Sequence, residues 1–346
     1  MKLLLTGHRG YVGAHLVDLL EAAGHEVVGL DAYWYEGGHL GRPPAEPAVT
    51  IRADIRDPEP ALPAVDAVVH LAALSNDPLG SFDPELTLRI NRDAAVQLAH
   101  RARAAGIPRF VFASSCSVYG VSPDLLDEDS PFRPLTPYAR AKAEAESGIL
   151  ALATDEFSPV ALRPGTAFGH SPRLRGDLVV NNLVAHALFD GEVLLKSDGL
   201  PWRPIVHVED IARAFAAAAE APADAVCGQA FNVGATTMNF QVRTLADRIA
   251  AAIPGSRIRF APDAGPDHRS YRVDCSRLAA VLPHSRPRWT LEAGIEALVD
   301  AYRQAPLDRD QAFGPAFFRL QRIQALIDAG QMSRSLSWQT QPTEAA

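Results

Sequence analysis

Cysteine is scarce in this chain, with only Cys116, Cys227 and Cys275 among 346 residues. They are too few and too widely spaced for a disulfide framework or a zinc cluster, so a reducing, cytoplasmic setting is expected. Positive charge is in deficit: 33 Lys and Arg against 41 Asp and Glu give a formal net charge of −8. Such a balance argues against a nucleic-acid partner, which needs clustered cations facing phosphates. Long apolar runs are missing too. Met1 to Leu5 stops at Thr6-Gly7, and Ala214 to Ala219 is bounded by Arg213 and Glu220, so no membrane association is expected. His8, His70, His170, His186 and His207 show no pair with ligand spacing, and no metal is expected.

What is present is ordinary globular material, 47% hydrophobic and 21% charged. Its length is enough for two lobes around substantial cores. Apolar runs of strand length (Lys2 to Leu5, Glu26 to Leu30, Val49 to Ile51, Ala67 to Leu71, Arg109 to Ala113, Pro159 to Leu162) alternate with helical periodicity near 11–23, 84–105 and 137–153. This alternation predicts an α/β fold: a Rossmann doubly wound parallel sheet with a smaller, interleaved α/β substrate-binding lobe. Residues 1–165, with about 201–235 returning to the sheet, form the expected Rossmann domain. The ranges 166–200 and 236–330 form the second lobe, and 331–346 is read as a flexible tail.

Gly7, Gly10 and Gly13 follow the first predicted strand and open the first predicted helix. Glycine there lets the backbone, including Tyr11 and Val12, approach a pyrophosphate at a helix amino terminus. Asp31 ends the second strand and suits both ribose hydroxyls of NAD, whereas a 2′-phosphate would be repelled; Arg9 in the glycine loop could partly offset that repulsion. Asp54-Ile55 and Leu71-Ala72-Ala73 sit at further strand ends, where ligands of open α/β sheets collect.

Tyr138 and Lys142 are four residues apart on helical sequence, so they share a face. A nearby ammonium would stabilise tyrosinate, making Tyr138 a candidate base. Ser115 lies between the glycine series and this pair, in Ser114-Ser115-Cys116-Ser117-Val118-Tyr119-Gly120 at the fifth strand's end, where a hydroxyl can orient a reacting oxygen. Arg173, Arg175, Arg203, Arg269 and Arg272 are basic positions able to hold a diphosphate, and Trp202 could stack on a base or a sugar.

Together with His70-Leu71-Ala72-Ala73, Arg163-Pro164-Gly165 and Arg203-Pro204-Ile205-Val206-His207-Val208-Glu209-Asp210, these motifs resemble the extended short-chain dehydrogenase/reductases, specifically the NAD-dependent nucleotide-sugar epimerase/dehydratase family. The resemblance implies Tyr138 as the base, Lys142 as the ribose-holding lysine, Ser115 as its hydroxyl partner, and Pro164 and Gly165 beside the nicotinamide. It further implies that Ser117, Asn182 and Arg203 contact a nucleotide-diphosphate sugar, with Arg269 or Arg272 at the diphosphate or base. A homodimer through the helices at 84–105 and 137–153 is also implied.

The family's 4,6-dehydratases carry Asp-Glu directly after the Ser/Thr, whereas this chain has Cys116-Ser117. A hydroxyl is a poor general acid at neutral pH, so the expected reaction is epimerisation by transient oxidation of a sugar hydroxyl. Two alternatives stand beside it: an NAD(P)-dependent sugar-nucleotide reductase or dehydrogenase, and an epimerase of carbons beside a ketone using Cys116 as acid/base. A non-catalytic NAD-binding regulator would have no need of Ser115, Tyr138 and Lys142.

Overall fold

Each short apolar run of the amino-terminal half becomes a strand, buried except at the sheet edge, where Val49–Arg52 stays largely exposed. In the computed structural model, which describes residues 1–58, 61–265 and 269–339, the chain opens with β1 (Lys2–Thr6), α1 (Gly13–Ala22), β2 (Glu26–Asp31), β3 (Val49–Arg52) and β4 (Ala67–His70). Two short helices follow, α2 (Asp77–Gly80) and α3 (Pro84–Leu88), then a π-helical turn Arg89–Ala94, α4 (Ala95–Ala104) and β5 (Arg109–Ala113). Next come β6 (Leu125–Leu126), α5 (Pro137–Leu150), β7 (Ser158–Pro164), β8 (Thr166–Phe168) and α6 (Val179–Phe189). The middle of the chain holds β9 (Glu192–Ser197), β10 (Trp202–His207), α7 (Val208–Glu220), α8 (Ala223–Val226) and β11 (Gln229–Val233). The remainder is β12 (Asn239–Gln241), α9 (Val242–Ala252), β13 (Arg257–Gly265), β14 (Arg272–Val273), α10 (Ser276–Val281), α11 (Leu291–Gln304), α12 (Arg309–Ala312) and α13 (Arg319–Asp328).

The main sheet has the order β11-β7-β5-β4-β1-β2-β3, and every pairing in it is parallel. This is the doubly wound arrangement expected from the alternation. Its strand order reverses between β1 and β4, the switch point at which open α/β sheets take ligands. On one face, α1 and α7 bury Leu16, Val17, Leu20, Ile211 and Phe215. On the other, α4 and α5 bury Leu98, Ala99, Ala102, Ala145 and Ile149.

Residues 201–235 divide between the lobes. β11 completes the main sheet, but β10 pairs with β8 and β12 in a three-stranded sheet. The second lobe has its own core, built on Val180, Val184, Leu245, Ile249, Ile295 and Leu298.

Two further expectations change. The helix at 84–105 is interrupted by the π-helical turn, where the buried Asn91 bonds Leu74 through both its side-chain oxygen (2.8 Å) and nitrogen (2.8 Å). That turn lets one side chain serve the loop after β4, a use typical of π-bulges at functional sites. Residues 331–339 are not a loose tail. Met332 and Leu336 are buried under α13 with Trp34, Ile323 and Leu326, Arg56 donates to the Ser335 and Leu336 carbonyls, and Trp338 Nε1 donates to Ala32 O at 2.6 Å. Their apolar side chains find a cluster to fill, which outweighs the ordering entropy. The rest of the expected tail, 340–346, lies outside the described residues.

Candidate active site

One cavity of about 1260 Å³ runs along the carboxyl ends of the main-sheet strands into the second lobe. Its floor is the loop from β1 to α1. Gly7 sits at φ +75°, and a Cβ there would stand 2.8 Å from Ala72 N; a Cβ on Gly13 would stand 2.3 Å from Gly7 O. Only glycine permits this folding of loop on helix, and it leaves Gly10, Tyr11 and Val12 lining the cavity at the amino end of α1. At the end of β2, Asp31 also lines it, oriented by Tyr33 N to Oδ1 (2.8 Å) and Arg9 N to Oδ2 (3.1 Å). The Arg9 guanidinium is paired with Glu46 and lies over the Tyr33 ring, so it does not offset the Asp31 charge. A dinucleotide with a free 2′-hydroxyl fits this cradle.

Ile55, Leu71, Ala72 and Ala73 line the same wall, as does Asp54. The Asp54 carboxylate is held by Arg56 at 2.6 Å and 3.0 Å, which fixes its orientation in the wall. Pro164 and Gly165, where β7 ends, line the far side.

Ser115 caps the 3-10 turn Cys116–Tyr119, accepting from Ser117 N at 3.2 Å, with the Ser117 hydroxyl 3.0 Å from its own. Thr136 caps α5 by accepting from Ala139 N at 3.1 Å, and Pro137 opens the helix, which places Tyr138 in the first turn against Ser115. Burial pushes the Tyr138 phenol up to about 12, partly countered by the hydrogen bond with Ser115. The expected lowering by the Lys142 ammonium does not govern. Lys142 is buried, donates to Ala113 O at 2.6 Å, and is itself pulled down to about 7 by desolvation. Helical spacing puts the pair on one face, but the lysine reaches back toward the sheet.

The thiol of Cys116 points into the core. It is fully buried, donates to Arg163 O at 3.0 Å and is pushed well above its ordinary value by burial. It does not line the cavity, which overturns the alternative that uses it as acid/base. Arg163 explains the fixity of this loop: it forms a buried ion pair with Glu146 of α5 at 2.5 Å and donates to Tyr119 Oη at 2.7 Å.

Of the expected substrate contacts, Ser117, Asn182, Arg203 and Arg269 line the cavity. Arg272 does not: β14 pairs with β6, and this directs its guanidinium to Pro123 O (2.7 Å) and over the Trp202 ring. Trp202 is thereby engaged outside the cavity. Burial holds His70 and His207 down to about 3, so both are neutral, and no cluster able to hold a metal occurs among the described residues.

Several site residues escaped the sequence reading. Asp77 accepts from Thr136 Oγ1 (2.6 Å) and pairs with Arg269 (2.9 Å), linking the cap of the Tyr138 helix to the second lobe. Asp177 accepts from Asn76 Nδ2 at 2.7 Å and pairs with Arg175 at 2.9 Å. Asn76-Asp77-Pro78 could have been read as a helix cap, but its tertiary partners carry no local signal.

Comparison with known proteins agrees with this geometry. The model of the NAD dependent epimerase/dehydratase family matches residues 3–234. A UDP-glucose 4-epimerase of Mycolicibacterium smegmatis is 32% identical over 289 residues, covering 80% of this chain and 91% of its own. A dTDP-glucose 4,6-dehydratase of Streptomyces griseus is 30% identical over 288 residues, covering 80% and 86%. Among solved structures, MoeE5 in complex with UDP-glucuronic acid and NAD superposes with a TM-score of 0.76 at 30% identity, covering 88% of this chain and 99% of its own. The glycine cradle, the Asp31 carboxylate and the Ser115–Tyr138–Lys142 arrangement thus belong to an enzyme of the NAD-dependent epimerase/dehydratase family.

Proposed function

We propose that this chain is an NAD-dependent epimerase of a nucleotide-diphosphate sugar, acting by transient oxidation of one ring hydroxyl. The observation that carries this reading is the loop after β5. Positions 116 and 117 offer no carboxyl group, and Cys116 is turned into the core, leaving the hydroxyls of Ser115, Ser117 and Tyr138 at the cavity. Eliminating water across the sugar's C5 and C6 calls for an acid and a base at these positions. Interconverting two epimers calls for one group that takes and returns one proton.

In this reading Ser115 holds the sugar hydroxyl against the Tyr138 phenol. Tyr138 accepts the hydroxyl proton as the carbonyl forms and returns it when the alcohol is restored. NAD, held by the Gly7–Gly10–Gly13 loop and Asp31, would supply reversible hydride acceptance, so that the sugar is restored with no net redox change. Lys142 would hold the cofactor ribose, and the positive charge of an oxidised nicotinamide would favour the phenolate of Tyr138, which burial holds up at about 12. Asn182, Arg203 and Arg269 would hold the sugar nucleotide. A homodimer through the adjacent helices α4 and α5, in a cytoplasmic setting, completes the proposal. Sedimentation as a monomer at micromolar concentration would count against the dimer.

The test is to denature the purified protein, identify the released small molecules by mass spectrometry, and follow a panel of nucleotide sugars by NMR. Retained NAD and interconversion of two sugar isomers without added cofactor is the expected result. Turnover only with supplied NAD(H) or NADP(H) would make it a reductase or dehydrogenase. Release of water or carbon dioxide would make it a dehydratase or decarboxylase.

A further inference from the structure

Arg319 opens α13, well beyond the residues matched by the family model. Its side chain is only 6% exposed, lines the main cavity beside Phe318, and lies with its guanidinium carbon 3.8 Å from the centroid of the Tyr35 ring. Among the described residues it forms no hydrogen bond and no ion pair. Its surroundings add positive charge: Arg173 and Arg175 both act on it, and burial with these neighbours brings it down to about 10. The carboxylate that most favours its charge, Asp177, is already engaged by Arg175 at 2.9 Å and 3.2 Å. Arg173 spends its Nη1 on the Tyr35 and Gly38 carbonyls, while its Nε has no partner.

A buried guanidinium costs stability unless it is paired and hydrogen-bonded. Stacking on Tyr35 orients Arg319 but leaves its donors unused, and two more arginines stand close by. The missing partner is an anion of more than one charge that enters through the cavity. We propose that Arg319 is a diphosphate ligand, so that the carboxy-terminal segment supplies part of the wall around the bound nucleotides.

Two diphosphates could reach it. The Tyr35 side favours the cofactor's, because Tyr35 follows Asp31 on the loop after β2, where the ribose is held. The sugar nucleotide's diphosphate is the other source, since Gly176 N bonds Phe317 O and Gly176 O accepts from Asn182. Only this second source rests on the nucleotide-sugar reading; binding of NAD does not depend on which reaction follows.

The experiment measures binding, not turnover. Arg319→Met, which keeps the stem over Tyr35, and Arg319→Lys, which keeps the charge, are compared with wild type stripped of cofactor. Calorimetry is run with NAD and, separately, with whichever of UDP, dTDP, GDP or CDP wild type binds most tightly. Loss of charge-assisted hydrogen bonds predicts an affinity about tenfold or more weaker for Arg319→Met in one arm, with Arg319→Lys intermediate. A loss in the NAD arm assigns the site to the cofactor, and a loss in the nucleoside-diphosphate arm assigns it to the substrate. Melting of the ligand-free protein separates a structural role: removing an unpaired buried cation should leave Tm unchanged or higher while the ligand-induced rise shrinks. A lower ligand-free Tm with unchanged affinity in both arms would overturn the proposal, as would unchanged affinity alone.

Discussion

Gly80 and Tyr138 are in direct contact across two helices: a Cβ built on Gly80 would lie 2.8 Å from Tyr138 Cβ. The end of α2 thus sets the position of the proposed base, through a space that only glycine leaves open. Gly80→Ala should push Tyr138 off its place beside Ser115 and lower kcat by about ten- to a hundredfold, since small misplacements of reacting groups are that costly. NAD affinity, measured by calorimetry, should be unchanged; a normal kcat would show that α2 does not position the tyrosine.

Tyr138→Phe removes the proton acceptor while keeping the ring. Turnover of the identified sugar nucleotide should fall by about 10² to 10⁴, the usual range for a general base, with retained cofactor near the wild-type level. Ser115→Ala should be damaging but less so. Unimpaired turnover by Tyr138→Phe would remove Tyr138 from the mechanism.

Cys116 offers the opposite expectation. Because its thiol donates to Arg163 O inside the core, Cys116→Ala should leave kcat within about twofold while costing about 1 kcal/mol of stability, as small buried substitutions commonly do. Native protein should resist a thiol reagent at this position, read by peptide mass spectrometry. A large drop in kcat with unchanged melting would restore an acid/base role.

Cofactor choice should rest on Asp31. Wild type is expected to bind NAD more tightly than NADP, because the Arg9 guanidinium is occupied by Glu46. Asp31→Asn should narrow that preference by about tenfold, through loss of a charge-assisted hydrogen bond and of repulsion toward the 2′-phosphate. Equal affinity of wild type for both cofactors would contradict the assignment.

The buried histidines predict an acid-labile fold. His70 and His207 are held down to about 3 in the folded state against 6.5 unfolded. Between these values the unfolded chain binds more protons, so stability falls as pH drops below 6.5 and continues to fall toward pH 3. Each group contributes up to about 1.4 kcal/mol per pH unit in that window. The urea midpoint of the cofactor-free protein should therefore decrease steadily from pH 7 to pH 5, and His70→Asn should flatten the slope. A midpoint independent of pH would show that neither ring stays neutral.

Local spacing made the sheet and the heart of the site legible in the sequence. Apolar runs alternating with helical periodicity determine β1 to β5, α1 and α4, because the period of burial is a property of neighbouring residues. Glycine spacing likewise marks the cradle at Gly7, Gly10 and Gly13, and one helical turn sets Tyr138 and Lys142 on one face. Tertiary structure alone decided the rest, where the deciding partner is distant in the chain. Pairing of β14 with β6 turns Arg272 away from the cavity, and the Arg163 carbonyl draws Cys116 into the core. The apolar cluster under α13 orders 331–339 and carries Arg319 to the cavity, a placement that requires side chains about 300 residues apart in sequence, Trp34 and Leu336 among them, to be packed together.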